Sequence, residues 1–370
     1  MNTLHQPKRE IAVKDLPPVH GFGGGAPRVL VTVDMGEKAV KSLQEFADVT
    51  LNYNLANDET TLIQAMQGYD GVIVRSFTKM TDRVIEGLDK LRIIGRLGIG
   101  MDNVDLDAAK KKGVKVVNSA GAQEIGDSVC ELAFGGLLAL VRNIPFASQS
   151  TIEGRWEKKG CFSNALGDGV IAGKRLGVIG FGSIGRRMAE VAEALGMDVV
   201  VWSPSLESQD RMQGWLFPEA KPDLREHPRL VGKYKFAKLD DMLGAADVVS
   251  IHIPLVKGEG GSENLIGERE LRLMKPNAVL MNFGRGGIID EDALVEALRE
   301  KRIYGAVIDT PSEEKTGSRF TERLRTEGLS SRVILTPHIG SQTAHAQEGA
   351  AKIIVEHLRD FFRQRNIQTS

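Results

Sequence analysis

Residues 174–205 read KRLGVIGFGSIGRRMAEVAEALGMDVVVWSPS. The apolar run 176–179 predicts a strand, 183–195 an amphipathic helix that must stop at Gly196, and 199–202 a second strand. Together they form a complete βαβ unit. Gly180, Gly182 and Gly185 fill the turn in G-x-G-x-x-G spacing. The first glycine allows a sharp turn off the strand, the second lets a pyrophosphate approach the backbone, and the third lets the helix pack closely on the sheet. The free N–H groups at the helix start, around Ser183 and Ile184, then face the phosphates. The spacing is informative because a strand precedes it and a helix and strand follow; a methyltransferase-like cofactor site is the main rival.

The same alternation extends outward in both directions. Upstream, 28–33, 71–75, 91–95 and 114–117 read as strands, with helices at 37–46 and 60–66. These precede the dinucleotide unit and so form a separate α/β lobe. An apolar helix at 131–142 follows, then a long irregular stretch, 143–169. Downstream, 207–235 is rich in proline and charge and reads as a surface insertion. The sheet resumes at 247–253, 278–282, 304–309 and 333–336, with helices at 268–273, 292–300 and 344–363. Strands alternating with helices predict parallel sheets, so the fold class is α/β with two doubly wound lobes. Residues 1–26, ending in the glycine cluster 21–25, read as a flexible extension.

Composition narrows the function. The 370 residues are 42% hydrophobic and 26% charged, as in a globular protein. There is no run of about 18 apolar residues that would cross a membrane, and residues 1–18 lack the apolar core of a secretory signal, so none is expected. Two cysteines, Cys130 and Cys161, make no disulfide framework and point to a reducing compartment, so a cytoplasmic location is expected. A net charge of −1 gives no global field for nucleic acid or membrane. No Cys/His spacing of metal-ligand type occurs, and no metal is expected.

In open α/β sheets ligands bind beyond the carboxyl ends of strands. Those positions hold Arg75, with Ser76 and Lys79 close behind; Arg96, followed by Gly98, Ile99 and Gly100; Arg285; the 309–314 segment; and His338. One arginine, one carboxylate and one histidine at successive strand ends would converge on a nicotinamide. His252, before Ile253 and Pro254, is the competing histidine and reads as lining the cofactor cleft or the core.

Four segments carry a family resemblance: GRLGIGMDNVD (95–105), the GFGSIG loop, NFGRGGIIDEDAL (282–294) and LTPHIG (335–340). In this order they resemble the D-isomer-specific 2-hydroxyacid dehydrogenases, over residues 28–360. Within that family, Arg75-Ser-Phe-Thr-Lys79, Arg96 and the segment ending in Arg142-Asn-Ile-Pro resemble the D-3-phosphoglycerate dehydrogenases; the regulatory domain of longer members is not expected here. The resemblance implies two Rossmann-like lobes with a cleft between them. The substrate domain would be 27–128 with 339–365, and the dinucleotide-binding domain 129–338. It implies a homodimer, with the apolar helix and the loop after Arg142 in the contact.

The resemblance also implies roles. Arg285 would bind the substrate carboxylate and polarise the keto oxygen, His338 would exchange the proton, and a glutamate would hold the imidazole. Counting from Asp309 gives Glu314, with Glu313 adjacent and Lys315 where a proline is usual. Arg75, Ser76, Lys79, Arg96, Gly98, Ile99, Gly100 and Arg142 would contact substrate. The glycine loop, Ser203, His252, Pro254 and Asp309 would contact the dinucleotide. Ser203 stands where an acid selects NAD, and no arginine follows until Arg211, so NAD is expected with NADP not excluded. The usual proline after Asn118 is missing, and 118–131 is about two residues long for the family pattern, which is where a pocket could be reshaped. The expected reaction is hydride exchange between NAD(H) and a D-2-hydroxy acid, first D-3-phosphoglycerate of serine biosynthesis. The alternatives are a glyoxylate or hydroxypyruvate reductase and a non-enzymatic NAD(H)-sensing corepressor-like protein.

Overall fold

The computed structural model describes residues 25–156, 158, 163–204 and 233–368. The extension before residue 25, Cys161 and most of the proposed insertion lie outside the described residues. The chain divides into two compact units, Met1–Glu124 with Gln347–Ser370, and Ile125–Ala346.

The first unit holds β1 (Arg28–Val31), β2 (Asp48–Leu51), β3 (Gly71–Val74), β4 (Ile93–Arg96) and β5 (Lys115–Asn118). They form one parallel sheet in the order β2-β1-β3-β4-β5. Every residue of β3 and β4 is buried, which is why both read as apolar runs without alternation. The final helix, Ala344–Gln368, packs closely on this sheet. A Cβ on Gly95 would lie 2.9 Å from Ile354 and 3.2 Å from Leu358. Strand order reverses between β1 and β3, so the carboxyl ends of that pair form the unit's crevice.

The second unit holds β6 (Arg175–Ile179), β7 (Asp198–Trp202), β8 (Lys235–Phe236), β9 (Val248–Ile251), β10 (Val279–Asn282), β11 (Gly305–Ile308) and β12 (Val333–Leu335). Their order is β12-β11-β10-β9-β6-β7-β8, again all parallel. The reversal falls between β6 and β9. Ile179, Ile251, Met242, Leu280 and Leu294 belong to its core and are fully buried.

Two sequence expectations need correction. The apolar helix starts at Gln123, not at 131, and runs to Val141; its first turns mix the buried Ile125 and Val129 with polar and small residues, so the continuous apolar run begins late. The stretch 143–169 is not irregular throughout, because Ile144–Ile152 is helical. Asn143 enters it in the left-handed conformation (φ 51), and Pro145 sits in the first turn, where no N–H donor is needed. Ile144, Phe146 and Ile152 are exposed, so this helix lacks the one-sided pattern that would announce it. Short crossover helices at Asp82–Glu86, Leu106–Lys112, Leu239–Ala245 and Arg319–Thr326 add to those expected. Among the described residues no single helix is long and apolar enough to cross a membrane.

Candidate active site

The glycine turn sits at the switch point of the second unit. Gly180 has φ +93°, and a Cβ there would lie 2.6 Å from Ile253 Cγ2 and 2.8 Å from the His252 carbonyl oxygen. The β6 loop and the β9 loop therefore touch only because the side chain is absent. A Cβ on Gly185 would run into the Gly180 carbonyl, whereas one on Gly182 meets nothing within 4 Å. No side chain caps the helix Ser183–Ala194 that starts here. Open space over Gly182, in front of uncapped N–H groups, fits the pyrophosphate of a dinucleotide and would be filled by any larger residue.

His252 follows β9 at this point. Its Nε2 lies 2.8 Å from Ser250 Oγ, and its Nδ1 is buried without a hydrogen-bond partner. Burial pushes the imidazole pKa down to about 3, so the ring is neutral and unsuited to proton exchange near neutrality.

Beyond β7 lies a cavity of about 490 Å³. Trp202, Pro204, Lys238, Asp240, Ile253 and Arg269 are among its lining residues. Ser203, between Trp202 and Pro204 in sequence, is buried. Pro254 is on the surface, its carbonyl accepting from Ser262 Oγ at 2.6 Å. Lys238 and Arg269 are cations that the sequence reading missed, because they arrive from the starts of two later helices, Leu239–Ala245 and Glu268–Leu273. Arg269 is held by Asp240 through two bonds of 2.8 and 2.9 Å and by Glu270 at 2.8 Å, so acid and base reach the cavity together.

The loops after β10, β11 and β12 lie side by side, as those strands are neighbours. Asn282, almost fully buried, folds the first of them. Its Nδ2 donates to the Arg285 carbonyl at 2.9 Å and its Oδ1 accepts from the Gly284 N–H at 3.0 Å. Arg285 Nη1 donates to the Gly284 carbonyl at 2.7 Å. A Cβ on Gly286 would run into the Pro311 carbonyl, so the turn lies directly on the β11 loop.

That second loop presents two glutamates with different partners. Glu313 accepts from Lys315 at 3.1 Å and from the Arg319 N–H at 3.2 Å, and these bonds hold its carboxyl below the usual carboxylate range. Glu314 Oε1 lies 2.6 Å from His338 Nδ1. Nε2 of His338 is thereby left for another partner. His338 itself is left-handed (φ 54°), and its N–H donates to the Asp309 carbonyl at 2.9 Å. The Asp309 carboxylate, 2% exposed, accepts from Thr336 Oγ1 at 2.5 Å, the Ile339 N–H at 2.9 Å and the Gly340 N–H at 2.8 Å.

In the first unit, Arg75 follows β3 at the switch point, and burial lowers its pKa. Ser76 and Lys79 are exposed in the same turn. The turn is fastened by Asn103, whose Nδ2 donates to the carbonyls of Arg75 and Thr78 at 2.9 and 2.7 Å. Arg96, expected at an anion, is 9% exposed and directs Nε to Asn103 Oδ1 at 3.3 Å. Its guanidinium fills the space over Gly98, where a Cβ would collide with it. The Gly98 N–H is also occupied, donating to Ser119 Oγ at 3.0 Å, and the Ile99 carbonyl accepts from Asn118 at 2.7 Å. Gly100 follows, partly exposed. In the second unit Arg142 lines a shallow groove with Ile144, Thr151 and Ile152.

A parallel sheet with a glycine turn at its switch point and open space over Gly182 defines a dinucleotide-binding α/β protein, with a His–Glu pair on neighbouring loops as its candidate acid–base site. Residues 134–340 match the family model described as D-isomer specific 2-hydroxyacid dehydrogenase, NAD binding domain. The chain belongs to that family. It is 35% identical over 336 residues to D-3-phosphoglycerate dehydrogenase of Methanocaldococcus jannaschii, covering 91% of this chain but only 57% of that protein. The chain thus spans little more than half the length of that relative. It is 36% identical to hydroxypyruvate reductase of Thermotoga maritima, covering 90% of this chain and 97% of that one. The solved TT0316 protein from Thermus thermophilus superposes with a TM-score of 0.70 at 29% identity, over 89% of this chain and 94% of the other.

Proposed function

We propose that this chain is an NAD-linked dehydrogenase interconverting D-3-phosphoglycerate and 3-phosphohydroxypyruvate. The 2.6 Å pairing of His338 Nδ1 with Glu314 Oε1 carries the dehydrogenase chemistry of this reading, and Arg75 at the β3 switch point supports the phosphorylated substrate. The pairing directs the Nδ1–H to the carboxylate and fixes the ring's direction, so that Nε2 is the nitrogen that takes up the proton in oxidation and, once protonated, gives it back in reduction. A nicotinamide dinucleotide held at the Gly180–Gly185 turn would supply or accept the hydride. In the reducing direction His338 gives its proton to the carbonyl oxygen as negative charge develops there. Arg285 presents a planar fork to the adjacent carboxylate and stabilises the same oxygen. Arg75 and Lys79 are the cations assigned to the phosphate. The exposed Ile144, Phe146 and Ile152 beside Arg142 support a homodimer through this face.

A second reading, reduction of hydroxypyruvate or glyoxylate, is favoured by one observation. Arg96 is turned onto Asn103 and Gly98, which leaves fewer cations for a phosphate. NADH oxidation by the purified protein separates the two when kcat/KM is compared for 3-phosphohydroxypyruvate and hydroxypyruvate. A charged contact to phosphate contributes about 1.5–3 kcal/mol, so the first substrate is expected to win by roughly tenfold to a hundredfold. Preference for hydroxypyruvate establishes the second reading instead.

A further inference from the structure

Asp309 is expected from the family resemblance to meet the dinucleotide, yet the bonds of its side chain run to the loop that carries His338. One carboxylate oxygen accepts from the Thr336 hydroxyl at 2.5 Å and the Ile339 N–H at 2.9 Å. The other accepts from the Gly340 N–H at 2.8 Å. The residue's own carbonyl accepts the His338 N–H at 2.9 Å, and its N–H donates to the Asn282 carbonyl at 3.0 Å. Asp309 thus receives three successive backbone N–H groups, those of residues 338, 339 and 340. The first belongs to a histidine held at φ 54°, a conformation that side chains other than glycine rarely adopt. Gly340 is fitted to this arrangement, since a Cβ there would lie 3.0 Å from Asp309 Oδ2. Through Asn282, which also folds the Arg285 turn, the clamp is continuous with the other loop of the site.

We infer that Asp309 is a positioning residue, holding the His338 loop in its left-handed turn so that the imidazole reaches both Glu314 and the reacting oxygen. This rests on the reading of His338 as the proton-exchanging group. A strained conformation at a functional residue persists only when neighbouring bonds over-determine it, and these bonds all originate from one buried side chain and its own backbone.

The test compares wild type, Asp309→Asn, Thr336→Val, His338→Ala and the Asp309→Asn/His338→Ala double variant. For each, NADH affinity is taken from fluorescence titration, and kcat and KM from keto-acid reduction. Asp309→Asn turns one acceptor into a donor facing an N–H. It is expected to lower kcat about ten- to a hundredfold, with NADH affinity and KM within about twofold of wild type. The double variant is expected to be no slower than His338→Ala, because a residue acting through His338 has nothing left to position. A tenfold loss of NADH affinity with kcat preserved at saturating NADH would overturn the inference in favour of a cofactor contact, and so would multiplicative losses in the double variant. If Asp309→Asn does not fold, Thr336→Val removes one anchor alone. It should lower kcat severalfold without moving NADH affinity, and an unchanged kcat overturns the proposal. Wild-type turnover by His338→Ala would remove the underlying acid–base reading, and that result is visible without any Asp309 variant.

Discussion

Nδ1 of His338 lies 2.6 Å from Oε1 of Glu314, and the two side chains are 39% and 55% exposed. A side-chain pair so open to water contributes little to stability, because solvent competes for both partners and two side chains lose freedom to form it. Its effect lies in orientation. Glu314→Gln is therefore expected to lower kcat about ten- to a hundredfold while leaving the melting temperature within experimental scatter of wild type. Glu313→Gln, whose partners are Lys315 and the Arg319 N–H, should leave kcat nearly untouched. Equal losses in both variants would sink the assignment of Glu314.

The backbone of His338 separates catalysis from stability. An L-residue in the left-handed region costs about 1–2 kcal/mol that glycine does not. His338→Ala and His338→Gly should both lose about 10²- to 10⁴-fold in kcat, the scale of a general acid. The glycine variant should nonetheless melt higher than the alanine variant, by a few degrees. Identical melting temperatures would show that the φ of 54° is not strained in the folded protein.

Much of this architecture was legible in the chain, for a physical reason. Strands such as Gly71–Val74 and Val279–Asn282 are buried along their whole length and so are written as apolar runs. The glycine loop was legible because its spacing states a steric requirement. What could not be read is which side chains at the strand ends are used internally. Asn103 fastens a turn 25 residues upstream, and Asp309 binds an N–H 31 residues downstream; no local pattern encodes either bond. Arg96 looks like an anion ligand until the space over Gly98 is seen to be occupied by its guanidinium. The choice between Glu313 and Glu314 depends on the course of a loop, which adjacency in sequence leaves undetermined.

The glycines of the β6 turn should divide into two kinds. At Gly185 a Cβ would collide with the Gly180 carbonyl, a backbone atom that cannot step aside, so Gly185→Ala should destabilise the unit by at least about 1–3 kcal/mol. At Gly182 nothing lies within 4 Å, so Gly182→Ala should melt like wild type but bind NADH about tenfold more weakly. Unchanged NADH affinity in Gly182→Ala would place the pyrophosphate elsewhere.

Arg75 tests the phosphate assignment. Burial lowers its pKa, yet an arginine stays charged. Arg75→Ala should cost at least about tenfold more in kcat/KM for 3-phosphohydroxypyruvate than for hydroxypyruvate, the difference being one charged hydrogen bond. Equal losses with both substrates would mean that Arg75 supports the turn or the shared carboxylate.

His252 should make stability depend on pH in mildly acidic solution. Its folded-state pKa is pushed down to about 3 by burial, against an ordinary value of 6.5. Above pH 6.5 the ring is neutral in both the folded and unfolded chain and contributes no slope. Between 6.5 and about 3 the unfolded chain takes up a proton that the folded chain refuses, so stability falls as pH falls through this window. One proton corresponds to at most about 1.4 kcal/mol per pH unit. His252→Gln cannot titrate, and its side-chain amide still reaches toward Ser250. Urea denaturation at pH 7, 6 and 5 should therefore show the wild type losing stability more steeply than the variant below pH 6.5, with the two curves parallel above it. Parallel curves throughout would mean that the imidazole reaches water in the folded protein and takes up its proton there.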